Sequence, residues 1–253
     1  MVNELALFAG AGGGILGGHL LGWRTVCAVE RDAYAAQVLA QRQNDGILRA
    51  FPIWSDVCSF DGKPWRGIVD IVSGGFPCQD ISAAGKGAGI DGEKSGLWRQ
   101  MARVIGEVRP RFVFVENSPM LVRRGLALVI SDLAKMGYGT QWGRISALET
   151  GAPHDRDRIW IVGEAMDDAF SERFESGRMH YRKDDRYQLG AAGEYAIKNP
   201  IFCSANGRDY WPDEPGMGRV AHGVAHRVDR IKALGNGQVP RVAATAFSLL
   251  CEK

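Results

Sequence analysis

The chain has 253 residues, enough for one large domain or for one domain with a small appendage. Hydrophobic residues make up 45% and charged residues 24%, the balance of a soluble globular chain rather than a disordered or membrane-embedded one. The net charge of +2 gives composition no argument for nucleic acid.

Strand-like and helix-like segments alternate through the first 164 residues. Glu4–Phe8 reads as a short apolar strand, followed by a glycine-rich turn and a helix opening over Ile15–Leu21. Thr25–Val29 is the next strand and Ala33–Arg42 a helix. Ile68–Val72 is a third strand. Leu97, Met101, Val104, Ile105 and Val108 have helical spacing. Arg111–Val115 reads as a strand ending at Glu116-Asn117, Leu121–Met136 as one helix, and Ile159–Val162 as a late strand. The pattern is that of a mainly parallel sheet with helices on both faces. It breaks near Met166. Asp167 to Asp213 is polar and lacks long apolar runs, which suggests a small, loop-rich region. The α/β style returns after Lys232, with Val242–Leu250 at helical spacing. No apolar run approaches a membrane span, and the N-terminus lacks a signal-peptide layout. The five cysteines, Cys27, Cys58, Cys78, Cys203 and Cys251, form no CxxC pair. A reduced, cytosolic chain without structural zinc is expected.

Residues 7–14 read Leu-Phe-Ala-Gly-Ala-Gly-Gly-Gly between a strand and a helix. That is a nucleotide-cofactor arrangement: glycines let the backbone approach a ligand, and a helix N-terminus offers free N–H groups. Gly12, Gly14 and Gly17 fit GxGxxG, and Glu30 ends the second strand, placed to hold ribose hydroxyls. The pattern does not separate a dinucleotide from S-adenosylmethionine. Asp56, after Ile53-Trp54-Ser55, is either a second ligand contact or an ordinary turn aspartate. Cys78 sits in Gly-Gly-Phe-Pro-Cys-Gln after the third strand, where reacting groups collect in an open α/β sheet. A lone cysteine is more often a small buried hydrophobe. His222 and His226 have helical metal-pair spacing but lack further ligands, so no metal is expected. Between Gly216 and Arg241, five basic residues (Arg219, Arg227, Arg230, Lys232 and Arg241) face one acid, Asp229. Such a stretch can track phosphates or simply be a solvated face.

The order of these elements resembles the DNA (cytosine-5)-methyltransferases. Phe8-Ala9-Gly10-Ala11-Gly12-Gly13 looks like their cofactor loop, Glu30 their ribose-binding acid and Asp56-Val57 the acid near the adenine. Gly75-Phe76-Pro77-Cys78-Gln79 looks like their nucleophile loop, Glu116-Asn117 their Glu-Asn pair, and Arg156-x-Arg158 their arginine-rich element. Gly235-Asn236-Gly237-Gln238-Val239-Pro240 resembles their closing segment. The chain departs from the pattern at Ser118, where valine is frequent, and at His154, where glutamine is usual. Its recognition region, about 65 residues, is short for the family.

The resemblance implies a Rossmann-like, S-adenosylmethionine-dependent methyltransferase fold. Residues 1–165 would form the core, 166–231 a small target-recognition region, and 232–253 a segment returning to the core. It implies Cys78 as nucleophile, Glu116 as the acid at ring nitrogen 3, Arg158 on the ring carbonyl and Arg156 in support. Cofactor contacts would come from Phe8, Ala9, Gly10, Gly12, Gly13, Glu30, Arg31, Asp56, Val57, Pro77, Leu97, Asn236 and Gly237. DNA contacts would come from Gln79, Ser82, Lys86, Asn117 and His154. The implied substrate is double-stranded DNA with the target cytosine flipped out of the stack. A monomer in the cytoplasm of a bacterial cell or phage-infected host is expected, with a cognate restriction enzyme as an open possibility. An RNA cytosine methyltransferase would share the core, but the Cys-Phe-Thr tripeptide of the transfer-RNA branch is absent. An idle nucleic-acid-binding module has no use for Cys78, Glu116 and Arg158 together. A nicotinamide oxidoreductase has none for the Pro-Cys-Gln loop.

Overall fold

The structure, a computed structural model, describes residues 1–77, 96–166, 187–189, 195–197 and 227–251. Among these residues, a seven-stranded sheet runs in the order β3-β2-β1-β4-β5-β7-β6. Its strands are β1 (Asn3–Leu7), β2 (Arg24–Val29), β3 (Ile53–Trp54), β4 (Ile71–Gly74), β5 (Phe112–Asn117), β6 (Tyr138–Ser146) and β7 (Asp157–Ala165). The five strands from β3 to β5 pair in parallel, and β7 is antiparallel to both β5 and β6. β8 (Tyr187–Leu189) and β9 (Tyr195–Ile197) form a separate antiparallel pair.

Alternation along each strand sorts the core onto two faces. Leu5, Leu7, Cys27, Val29, Val72, Val113, Val115, Ile159 and Ile161 face one way. Helices α3 (Leu97–Val108) and α5 (Leu126–Lys135) cover that face. α3 buries Trp98, Met101, Val104, Ile105 and Val108, the stripe its helical spacing predicts. Burial of each such side chain contributes about 2 kcal/mol. Ala6, Ala28, Ile71, Phe114, Trp160 and Val162 face the other way. There they meet α1 (Gly13–Leu20), α2 (Ala33–Asn44) and the terminal helix α7 (Pro240–Cys251). Phe247 of α7 packs edge-on to Trp23 and Phe114, with ring centroids 4.6 and 5.3 Å apart. Among the described residues, two more α-helices are α4 (Leu121–Arg124) and α6 (Arg227–Asn236). No described helix is long and apolar enough to cross a membrane.

Two expectations change. The third strand starts at Ile71, because the Ile68 and Val69 N–H groups are spent on the Trp65 carbonyl in a turn. The long helix over 121–136 is two helices, broken at Gly125, whose carbonyl accepts from Leu128 and Val129. β6 carries no clean period-2 signal, because as an edge strand it buries only Tyr138, Gly143 and Ile145. α6 runs unbroken across residues 231 and 232.

Candidate functional site

The site is built at the carboxyl ends of the parallel strands. After β1 the backbone enters the left-handed region at Phe8 (φ 53°), Gly10 (φ 54°) and Gly12 (φ 86°). Gly13 opens α1 so close to the closing segment that a Cβ there would lie 2.0 Å from the Gln238 carbonyl oxygen. Glu30, at the end of β2, steadies this turn. Its Oε2 accepts from the Gly10 N–H at 2.6 Å and its Oε1 from the Asp32 N–H at 2.7 Å. Asp32 caps α2 through the Ala35 N–H and pairs with Lys232 of α6. The Lys232 pairing, with the capping hydrogen bond, holds the Asp32 carboxyl below the usual carboxylate range. Beyond β3, Asp56 accepts from the Cys58 N–H at 2.9 Å. That bond lowers the pKa of Asp56, and the Arg31 charge adds to the effect. Val57 is buried, and its carbonyl accepts from Arg103 of α3 at 2.7 Å.

The second half of the site comes from β4, β5 and β7. β4 leads through Gly75 and the buried Phe76, packed on Trp98, to Pro77. Glu116 ends β5, with Arg158 beside it on β7. The Arg158 Nε lies 2.8 Å from Glu116 Oε1. Burial pushes the Glu116 carboxyl above its ordinary pKa. The Arg158 and Arg156 charges and hydrogen bonds from Gln238 and Arg158 pull it back. Asn117, expected at the DNA, is buried and turned inward. Its amide donates to the Phe76 carbonyl at 3.1 Å and accepts from the Ser118 N–H at 2.8 Å. It therefore ties β5 to the start of the Cys78 loop.

A cavity of about 490 Å³ joins the two halves. Phe8, Gly10, Glu30, Arg31, Asp56, Val57, Pro77, Leu97 and Asn236 line it, together with Glu116, Asn117 and Arg158. Ala9 and Gly237 line a smaller cavity of about 30 Å³ beside it. Gly12 and Gly13 lie outside both linings and shape the turn. Arg156, expected to support Arg158, donates to the Gly235 and Gly237 carbonyls at 2.7 and 2.6 Å. It holds the closing segment. His154 is exposed in the loop between β6 and β7 and does not line the cavity. Cys78, Gln79, Ser82 and Lys86 lie outside the described residues, as do His222 and His226.

Three further residues take part; the sequence marks Lys232 only within a basic stretch and Gln238 only within the closing motif. Lys232 and Asp32 line the cavity and pair across it. Gln238 places its Nε2 3.4 Å from Glu116 Oε2. Lys232 and Gln238 stand in or beside the closing motif. Sequence marks that motif but not the direction of its side chains.

A family profile described as C-5 cytosine-specific DNA methylase matches residues 2–199. The chain belongs to that family. It is similar to the type II methyltransferase M.PspPI of Psychrobacter sp. (strain TA137), 35% identical over 167 residues, which are 64% of this chain and 39% of that one. The Neisseria gonorrhoeae type II methyltransferase M.NgoFVII is 31% identical over 174 residues, 67% of this chain and 45% of that protein. The family member described here thus spans less than half the length of these two relatives. Among solved structures, its fold is similar to a DNA modification methyltransferase encoded within an E. coli prophage. That structure has a TM-score of 0.54 and 24% identity, over 65% of this chain and 47% of that one. The S. pombe Dnmt2 methyltransferase gives a TM-score of 0.53 and 19% identity, over 73% of this chain and 57% of that one.

Proposed function

We propose that the protein methylates carbon 5 of cytosine in DNA, using S-adenosylmethionine. The observation that carries this reading is the convergence on one cavity of the glycine turn with Glu30, the pair of the buried Glu116 with Arg158, and the start of the Cys78 loop. The residues fit the cofactor. Glu30 and Asp56 offer acceptors for ribose and adenine, Phe8 and Leu97 offer apolar walls, and Gly10 leaves its side of the turn open. When bound, S-adenosylmethionine supplies an electrophilic methyl group.

The chain's own residues prepare the base. Cys78, as thiolate, adds to carbon 6 and makes carbon 5 nucleophilic, which splits one hard step into two easier ones. Negative charge then develops on the ring. Glu116, protonated, donates at ring nitrogen 3 and relieves it. Its burial favours the protonated form this role needs. Arg158 orients that carboxyl and lies against the same cavity, placed to hold the ring carbonyl. Asn117 anchors the Phe76 carbonyl, two residues before the nucleophile. After methyl transfer the carbon-5 proton leaves and the thiol is eliminated. Residues 166–231 are the candidate reader of base edges, with Ser82 and Lys86 as candidate phosphate contacts. A reader of that size suits a short target of about four base pairs.

Methylation-sensitive sequencing of a plasmid exposed to the protein and S-adenosylmethionine tests the reading. Wild type should leave 5-methylcytosine in a short sequence context, and Cys78→Ser should leave none while still binding the cofactor. Product from the serine variant, or none from wild type, would overturn it.

A further inference from the structure

Gln238 sits where three parts of the site meet. Its Nε2 lies 3.4 Å from Glu116 Oε2. A Cβ on Gly75 would lie 3.1 Å from that nitrogen and 2.4 Å from Glu116 Oε2, so both groups lie against the backbone leading to Cys78. On the other side, a Cβ on Gly14 would lie 2.4 Å from Gln238 Oε1. The glutamine's backbone carbonyl presses on Gly13. One side chain therefore spans the start of α1, the β4 exit and the Glu116 carboxyl. Arg156 steadies the backbone just before Gln238 through the carbonyls of Gly235 and Gly237.

The pair Glu116–Arg158 alone fixes one carboxyl oxygen, Oε1. The other would be free to rotate with the side chain. We propose that Gln238 is a positioning residue for the reaction: its amide fixes the second Glu116 oxygen and locks the acid to the cofactor turn and the nucleophile loop. Arg156 acts through it, as the clamp on the segment that carries it. This inference rests on Glu116 being the acid at ring nitrogen 3.

Two charged groups act on Glu116 from the described elements around it: Arg158 on β7 and Arg156 in the turn before β7. Gln238 adds a neutral donor that favours the ionised carboxylate. Removing that donor raises the pH at which Glu116 loses its proton. An acid that works protonated then stays competent to higher pH.

Single-turnover methylation of DNA across pH tests this, with Gln238→Met as a variant of similar volume that lacks the amide. The plateau rate should fall about fivefold, the worth of one hydrogen bond, and the basic limb should move to higher pH. In a Glu116→Gln background, adding Gln238→Met should change the rate less than twofold, because the partner carboxyl has gone. Gly14→Ala, which crowds Oε1 and displaces the amide, should move the limb in the same direction with Gln238 still present. If Glu116→Gln is slow but Gln238→Met leaves both rate and limb at wild-type values, the inference about Gln238 fails and the acid assignment stands. A uniform loss with the limb unmoved also overturns it, since a purely structural role predicts that. An unchanged rate in Glu116→Gln would instead remove the acid assignment itself.

Discussion

Glu4→Gln should make the protein more resistant to unfolding at alkaline pH and leave it unchanged in acid. Glu4 lies on β1 under α1, 1% exposed. Ser73 and Thr25 donate their hydroxyls to its two oxygens at 2.6 and 2.7 Å. These hydrogen bonds favour the ionised form, but burial outweighs them and raises the pKa from 4.5 to about 7. In the unfolded chain the carboxyl ionises at its ordinary value. Stability is therefore full below pH 4.5, falls as pH rises to about 7, and is level above that. At about 1.4 kcal/mol per pKa unit, the loss is roughly 3 kcal/mol. A neutral glutamine avoids it, since its amide can still accept one hydroxyl and donate to the other. Urea unfolding of both proteins at pH 4.5 and pH 8 gives the measurement. The variant's advantage should grow by roughly 3 kcal/mol between them. An advantage that does not change with pH would refute the reasoning. Ser73 leads directly to Gly74, so the charge state of Glu4 also bears on the strand that precedes Cys78.

Glu30→Ala removes the acceptor for the Gly10 and Asp32 N–H groups, and the rise in Tm given by saturating S-adenosylmethionine should shrink. An undiminished thermal shift would take Glu30 out of the cofactor site. Gly13→Ala should cost about 2 kcal/mol in denaturant unfolding, because the new methyl meets a backbone oxygen that Arg156 and α7 hold in place. Gly10→Ala meets nothing within 4 Å and should cost only about 1 kcal/mol, for its positive φ. Equal losses from the two would show that the closing segment gives way.

The sequence alone determined the alternation of strands and helices, the glycine-rich turn after β1 and the motif order. These depend on short-range features: apolar periodicity over α3, the glycine run after β1, and residue types at fixed offsets near Cys78, Glu116 and Arg158. It also placed Glu30 at the end of β2, which follows from the run Thr25–Val29. The sheet order and the antiparallel insertion of β7 between β5 and β6 were decided by the tertiary structure, as was the edge strand β6. An edge strand is half solvated and carries little hydrophobic signal. Two polar side chains take partners that the sequence does not reveal, for a related reason. Asn117 turned inward to Phe76, and Arg156 went to carbonyls some 80 positions further along the chain. Residue type shows that such groups must find partners when buried, but only the folded chain decides which partners are within reach. Gln238 and Glu116 are 122 positions apart in sequence. They meet because α7 packs on the sheet face under β5 and carries the closing segment back to the strand ends.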